Sequence, residues 1–167
     1  EQLDYIVNHA EDEIMFVDLT FLPIVEALQA RFGTVRKYIV MTDAEHMPDT
    51  ALPNAVAYED WIAAVDDDFE WKTFDENTAA GLCYTSGTTG NPKGVLYSHR
   101  SNVLHGLMVN QPDVFGLKSE DVMLAIVPMF HANAWALSFA APAAGAKLVM
   151  PGPGMDGASI YELLETE

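Results

Sequence analysis

Short apolar runs and helical periods take turns along this chain. Residues 1–11 read as the end of a helix, with Leu3, Ile6, Val7 and Ala10 on one face. Residues 14–17 are an apolar strand. Residues 20–33 form a helix that Thr20 can cap, with Leu22, Val25, Leu28 and Phe32 inward and Gly33 as its stop. Residues 37–42 are a second strand. Two prolines and no clear period make 43–54 a loop, and 58–65 a short helix. The run 80–84 predicts a buried strand, 94–98 another, and 99–109 a helix carrying Val103, Leu104, Leu107 and Met108. Strand 121–127, a small-residue helix over 133–144, strand 147–150, a turn at 151–154 and a helix over 160–164 complete the chain. This alternation predicts an α/β architecture, a layered sheet flanked by helices.

Size and composition narrow the picture. At 167 residues the chain can bury a core, and half of it is apolar. Its 25 acidic and 8 basic residues give a formal net charge of -17. Nucleic acid and anionic membranes both need clustered Lys and Arg, so neither is an expected partner. The acidity is read as a device for solubility in a salty environment, which would make thermal stability depend on salt. Eight acidic residues lie between Glu59 and Glu76 with Lys72 as the lone base, a solvated surface segment. Asp66-Asp67-Asp68 lacks the glycine and the closing glutamate of a calcium loop. The single cysteine, Cys83, excludes an internal disulfide, reads as a small core residue and points to a reducing cytoplasm. The longest apolar tract, 134–146, is broken by Ser138 and Pro142 and is too short for a transmembrane segment.

Chemistry concentrates in one place. Thr85-Ser86-Gly87-Thr88-Thr89-Gly90-Asn91-Pro92-Lys93-Gly94 holds three glycines, four hydroxyls and a lysine, directly after an apolar strand. Glycine permits positive φ and lets amide N–H groups approach an anion; hydroxyls add donors and lysine a compact charge. The expected ligand is a polyphosphate. The Walker A pattern fails here. Pro92 stands where its second glycine belongs, Gly94 follows the lysine where Ser or Thr is required, and the next element is a strand rather than a helix.

The same ten residues resemble the phosphate-loop signature of the adenylate-forming, AMP-binding superfamily, which comprises acyl-CoA synthetases, peptide-synthetase adenylation domains and beetle luciferases. Nine of the ten positions agree. Tyr97-Ser98-His99-Arg100, Val127-Pro128-Met129-Phe130-His131-Ala132-Asn133-Ala134-Trp135, Gly145-Ala146-Lys147 and Met150-Pro151-Gly152-Pro153 extend the likeness across the chain, more weakly before Ala80. Within the superfamily it is most similar to medium- and long-chain fatty acyl-CoA synthetases.

The resemblance implies a two-step reaction. A carboxylate attacks ATP to give an acyl-adenylate and pyrophosphate, and coenzyme A then takes the acyl group. It implies that Thr85, Ser86, Gly87, Thr88, Thr89, Gly90, Lys93 and Gly94 hold the ATP phosphates, and that Thr85 touches Mg²⁺. His131 would lie between the adenylate and acyl sites in a supporting role. Trp135 would gate the acyl tunnel, with a plain core position as the other reading. Residues 1–167 are then expected to be one part of the large N-terminal domain, inactive alone and weak in ATP binding. No Tyr-Gly-x-Thr-Glu segment, ribose-binding aspartate or catalytic lysine of a mobile C-terminal domain is present. Such a piece would expose sheet edges and self-associate. The other readings are a peptide-synthetase adenylation domain, an aryl-CoA ligase, or a non-catalytic nucleotide-binding module.

Overall fold

The computed structural model describes residues 2–85 and 90–167. The chain divides into two compact units, one built from residues 2–72 with 90–92 and the other from 73–85 with 93–167.

The first unit is a small parallel sheet with helices. Helix α1 (Gln2–Ala10) leads to β1 (Ile14–Val17). Asp18 then caps a 3-10 turn at Leu19–Phe21, its carboxylate accepting the Thr20 N–H at 2.8 Å. Helix α2 (Leu22–Leu28) has a proline in its first turn, and a second 3-10 turn follows at Gln29–Arg31. The helix expected over 20–33 is thus an α-helical centre with 3-10 ends, and Asp18, not Thr20, is its opening cap. Strand β2 (Lys37–Val40) runs between β1 and β3 (Ala55–Ala57), parallel to both, and α3 (Tyr58–Ala63) follows. Val7, Val17, Leu22, Val25, Phe32, Tyr38, Val40 and Leu52 make one core. Being the central strand, β2 is its most buried element: Ile39 and Val40 have no exposed surface. Glu26 ties α2 to the loop over 43–54, accepting from the Thr50 hydroxyl at 2.6 Å and the Ala51 N–H at 2.9 Å.

The second unit opens with a hairpin. Strand β4 (Ala79–Thr85) pairs antiparallel with β5 (Lys93–Ser98), in the register Thr85 with Lys93, Tyr84 with Gly94, and Cys83 with Val95. Helix α4 (His99–Val109) begins at once, because Ser98 and Ser101 exchange side-chain and backbone hydrogen bonds in a reciprocal cap. Strand β6 (Val122–Leu124) pairs parallel with β7 (Lys147–Val149), and α5 (Ala132–Trp135) and α6 (Leu137–Ala144) lie between them in sequence. Helix α7 (Gly157–Thr166) ends the chain, capped by Asp156.

One sequence expectation changes here. Strand β4 is not buried: Ala79, Ala80 and Leu82 are exposed, and Cys83 and Tyr84 half-buried. Among the described residues these two strands pair only with each other, so neither has the cover of a central strand. On α4 the apolar residues Val103, Leu104, Leu107 and Met108 are exposed, whereas Asn102, Gly106 and Val109 are buried. The helix meets α6 through its small residues: a Cβ on Gly106 would lie 3.8 Å from Phe139 Cβ and 4.0 Å from the Ala140 backbone nitrogen. Among the described residues no helix is long and apolar enough to cross a membrane.

Candidate functional site

Of the phosphate loop, Thr85, Gly90, Lys93 and Gly94 lie among the described residues; Ser86, Gly87, Thr88 and Thr89 lie outside them. Thr85 and Lys93 are the last paired residues of the hairpin, so the loop springs from their rung. Cross-strand partners share a face of the sheet, which puts the threonine hydroxyl and the lysine ammonium on one side. The Thr85 hydroxyl lies 3.5 Å from the Lys93 carbonyl oxygen, a long contact that leaves it largely free to serve a ligand. Lys93 is exposed and, among the described residues, has no ion-pair partner, although the chain carries three times as many carboxylates as cations.

The two described glycines of the signature do different things. Gly90 has φ of +83° with open space where a Cβ would be, so its backbone conformation is what requires glycine. Gly94 has no unusual φ. A Cβ there would come within 2.9 Å of Leu82 Cδ1 and 3.4 Å of Tyr84 Cζ, so two side chains of β4 close over the bare backbone.

His131 and Trp135 belong to a segment that the sequence presents as the start of a helix. Instead, Ala132, Asn133, Ala134, Trp135 and Ala136 all have positive φ, between 46° and 65°. Element α5 is therefore a single turn wound left-handed, and the right-handed α6 begins only at Leu137. For an L-residue other than glycine this conformation costs roughly 1–2 kcal/mol, less for asparagine, so such a turn persists only where its surroundings fix it. Here Ala134 and Ala136 are buried at 0% and 4% exposure. The Asn133 side-chain oxygen accepts from Cys83 Sγ at 3.7 Å, and its carbonyl oxygen accepts from the Ser138 hydroxyl at 3.4 Å. Trp135 stacks on Phe115, ring centroids 6.5 Å apart and planes 17° from parallel, with 56% of its surface exposed. Trp135 is neither buried core nor one helical turn above His131. His131 is exposed next to Phe130, which is 80% exposed, and its backbone N–H closes a turn onto the Pro128 carbonyl at 3.2 Å.

The structure thus brings the phosphate strand and the His131 motif together through a pair that sequence reasoning missed. Cys83 was expected to be a small core residue. It is half-buried, and its thiol is spent on Asn133. Cys83 and Thr85, two residues apart on β4, point to the same face. The left-handed turn therefore touches the side of the hairpin on which Thr85 and Lys93 stand. The one available signal was an asparagine among alanines, since asparagine enters the left-handed region more readily than they do.

The family model described as AMP-binding enzyme matches residues 1–167, the whole chain. The chain belongs to the AMP-binding enzymes. Among AMP-binding relatives it is 48% identical, over 167 residues, to a medium-chain-fatty-acid–CoA ligase of Ectopseudomonas oleovorans, covering 100% of this chain and 31% of that protein. It is 47% identical over 166 residues to a 3-methylmercaptopropionyl-CoA ligase of Ruegeria lacuscaerulensis, with 99% and 31% covered. A long-chain-fatty-acid–CoA ligase of Thermus thermophilus is 44% identical, with 100% and 29% covered. The chain spans about 31% of the length of the first of these relatives. In fold it is similar to the N-terminal domain of FACL13 from Mycobacterium tuberculosis, with a TM-score of 0.78 at 21% identity over 97% of this chain and 37% of that one. A red-emitting luciferase from Phrixothrix hirtus gives 0.72 at 28% identity, covering 89% and 36%. The expected layered α/β fold of an AMP-binding large domain is therefore the fold observed.

Proposed function

We propose that the protein carrying this chain is an acid–thiol ligase that activates a fatty acid with ATP and transfers it to coenzyme A. The observation that carries the reading is the shared face of the hairpin: Thr85 and Lys93 stand at its mouth, and the turn between His131 and Trp135 is docked beside them through Cys83 and Asn133. The names of relatives at 44% and 48% identity point to the same chemistry.

In the first step a carboxylate oxygen attacks the α-phosphorus of ATP. An acyl–phosphate anhydride bond forms, the bond to the β-phosphate bridging oxygen breaks, and pyrophosphate leaves. In the second, the thiol sulfur of coenzyme A attacks the acyl carbon, a thioester forms, and AMP departs with the bonding pair while the thiol proton passes to solvent. The protein's task in such steps is placement and charge stabilisation. Lys93 would balance charge on the departing pyrophosphate. The amides and hydroxyls of residues 85–90, including Ser86, Gly87, Thr88, Thr89 and Gly90, would cradle the phosphates. Gly94 would keep the hairpin flat beneath them. His131 would border the reacting carboxylate and Trp135 the entry of the acyl chain. An apolar groove of about 290 Å³ between α4 and α6, lined by Val103, Gly106, Leu107, Phe139 and Pro142, suits an aliphatic chain.

Mg²⁺ takes six oxygens, and Thr85 offers one hydroxyl. Among the described residues no group of three His, Cys, Asp or Glu could hold a metal ion. These residues do not complete a metal site, and Thr85 is proposed only as a single contact. The half-buried free thiol of Cys83 is in keeping with a cytoplasmic enzyme.

ATP–pyrophosphate exchange with the full-length protein and acids of graded length tests the reading. Exchange with aliphatic acids supports it. Exchange only with amino acids or aryl acids reassigns the protein within the family, and no exchange with any acid leaves a nucleotide-binding module.

A further inference from the structure

Asn133 stands where the phosphate strand meets the acid segment, and we infer that it is a positioning residue that sets acid selectivity by fixing the left-handed turn that carries Trp135. The inference rests on the acyl-activation reading above.

Three observations carry it. First, the turn is anchored from two directions through this one residue: its side chain to β4 by way of Cys83, and its carbonyl to α6 by way of Ser138. Second, the turn cannot rotate as a unit without exposing Ala134 and Ala136, which flank Trp135 and are buried. The indole is therefore placed by the turn, and its own packing is slight, since it touches Phe115 and keeps more than half its surface open. Third, Cys83 is two residues from Thr85 on the same face, so the anchor sits on the strand that delivers the phosphate loop. Displacing the turn would move the wall of the acid site while β4, β5 and Lys93 stay paired. Asparagine suits the position twice over: it tolerates the left-handed region, and its amide oxygen can accept from a weak thiol donor.

The test compares full-length wild type with Asn133→Ala, Cys83→Ala, the double variant and Cys83→Ser. Pyrophosphate exchange is measured with a medium-chain and a long-chain saturated acid, alongside KM for ATP and a thermal melt. Each single variant is expected to shift the ratio of kcat/KM between the two acids by about tenfold, in the same direction. KM for ATP should stay within about twofold of wild type. The double variant should shift the ratio no further than the larger single one, because both break the same contact. Cys83→Ser, whose hydroxyl can donate to the same amide oxygen once the two side chains close the gap left by its shorter bond, should recover part of the wild-type ratio. An unchanged ratio, additive shifts, or an equal fall for both acids would overturn the inference. If Asn133→Ala does not fold, the Cys83→Ala and Cys83→Ser pair decides alone, since it leaves the turn's own sequence intact. A wild type that activates the acids while its variants keep the ratio defeats the inference only. A wild type that activates no acid defeats the function reading and the inference with it.

Discussion

The thiol of Cys83 donates to the amide oxygen of Asn133 across 3.7 Å, joining residues 50 positions apart. It ties the strand that ends at Thr85 to the left-handed turn that follows His131 and carries Trp135. The strand and the turn are remote in the sequence and lie in one compact unit.

Lys93 is exposed and holds no carboxylate among the described residues, so its charge contributes little to folding. Lys93→Ala in the full-length protein should lower kcat for pyrophosphate exchange by about 10²–10³, the usual cost of removing one group that stabilises developing charge. The melting temperature should hardly move. A matching loss of stability would mean that the lysine is a structural residue.

Gly145 and Gly106 should respond in opposite ways to the same added methyl. Gly145 closes α6 at φ +76°, with Ser119 Cβ 3.4 Å from where its Cβ would be. Gly145→Ala should destabilise by about 1 kcal/mol or more. Gly106 has helical φ, and its added Cβ would meet only ordinary contacts at 3.8 and 4.0 Å. Gly106→Ala should be neutral or gain up to about 1 kcal/mol from helix propensity. Paired denaturant titrations check both.

The carboxyl of Glu26 is held below the usual glutamate range by the Thr50 hydroxyl first and the Ala51 N–H second. A depressed pKa means that the unfolded chain binds the proton more readily. The stabilisation is therefore complete above the unfolded pKa of about 4.3, and it fades as pH falls through the lower folded value. Wild type should be more stable than Glu26→Gln at neutral pH, and the gap should close in acid. A pH-independent gap would show that the ionised form has no special role.

Much of what was legible came from local chemistry. The hairpin could be read because a Gly- and Pro-rich segment separates two apolar runs, and α4 because Val103, Leu104, Leu107 and Met108 recur at helical spacing. Strand β3 could not be read. Its Ala55-Val56-Ala57 has little strand propensity and forms by pairing with β2, a partner far away in sequence. The left-handed turn was hidden for a related reason. Ala-rich sequence favours a right-handed helix, and only burial of Ala134 and Ala136 with the anchor at Asn133 overrides it. On α4 the side that packs carries Asn102, Gly106 and Val109 and not the more apolar residues, a choice that periodicity alone does not make.

Exposed apolar residues lead to one more expectation. Val103, Leu104, Leu107 and Met108 line α4 at 49–61% exposure, and Trp71 is 88% exposed. Residues 1–167 produced alone should self-associate at micromolar concentration, as sedimentation velocity would show. A clean monomer at every concentration would contradict this.

Gly94 belongs to a sequence signature known for gripping phosphate, yet the atoms nearest its missing side chain are carbons of Leu82 and Tyr84. A methyl there would first have to push aside Leu82 Cδ1, the tip of a side chain that is 40% exposed and free to turn, so its nearest obstacle is residue 82. Positions 82 and 94 should therefore drift together over evolutionary time: a lineage that shrinks residue 82 is freed to place alanine at 94 while keeping its chemistry. A scan that demanded glycine there would overlook working members of the family.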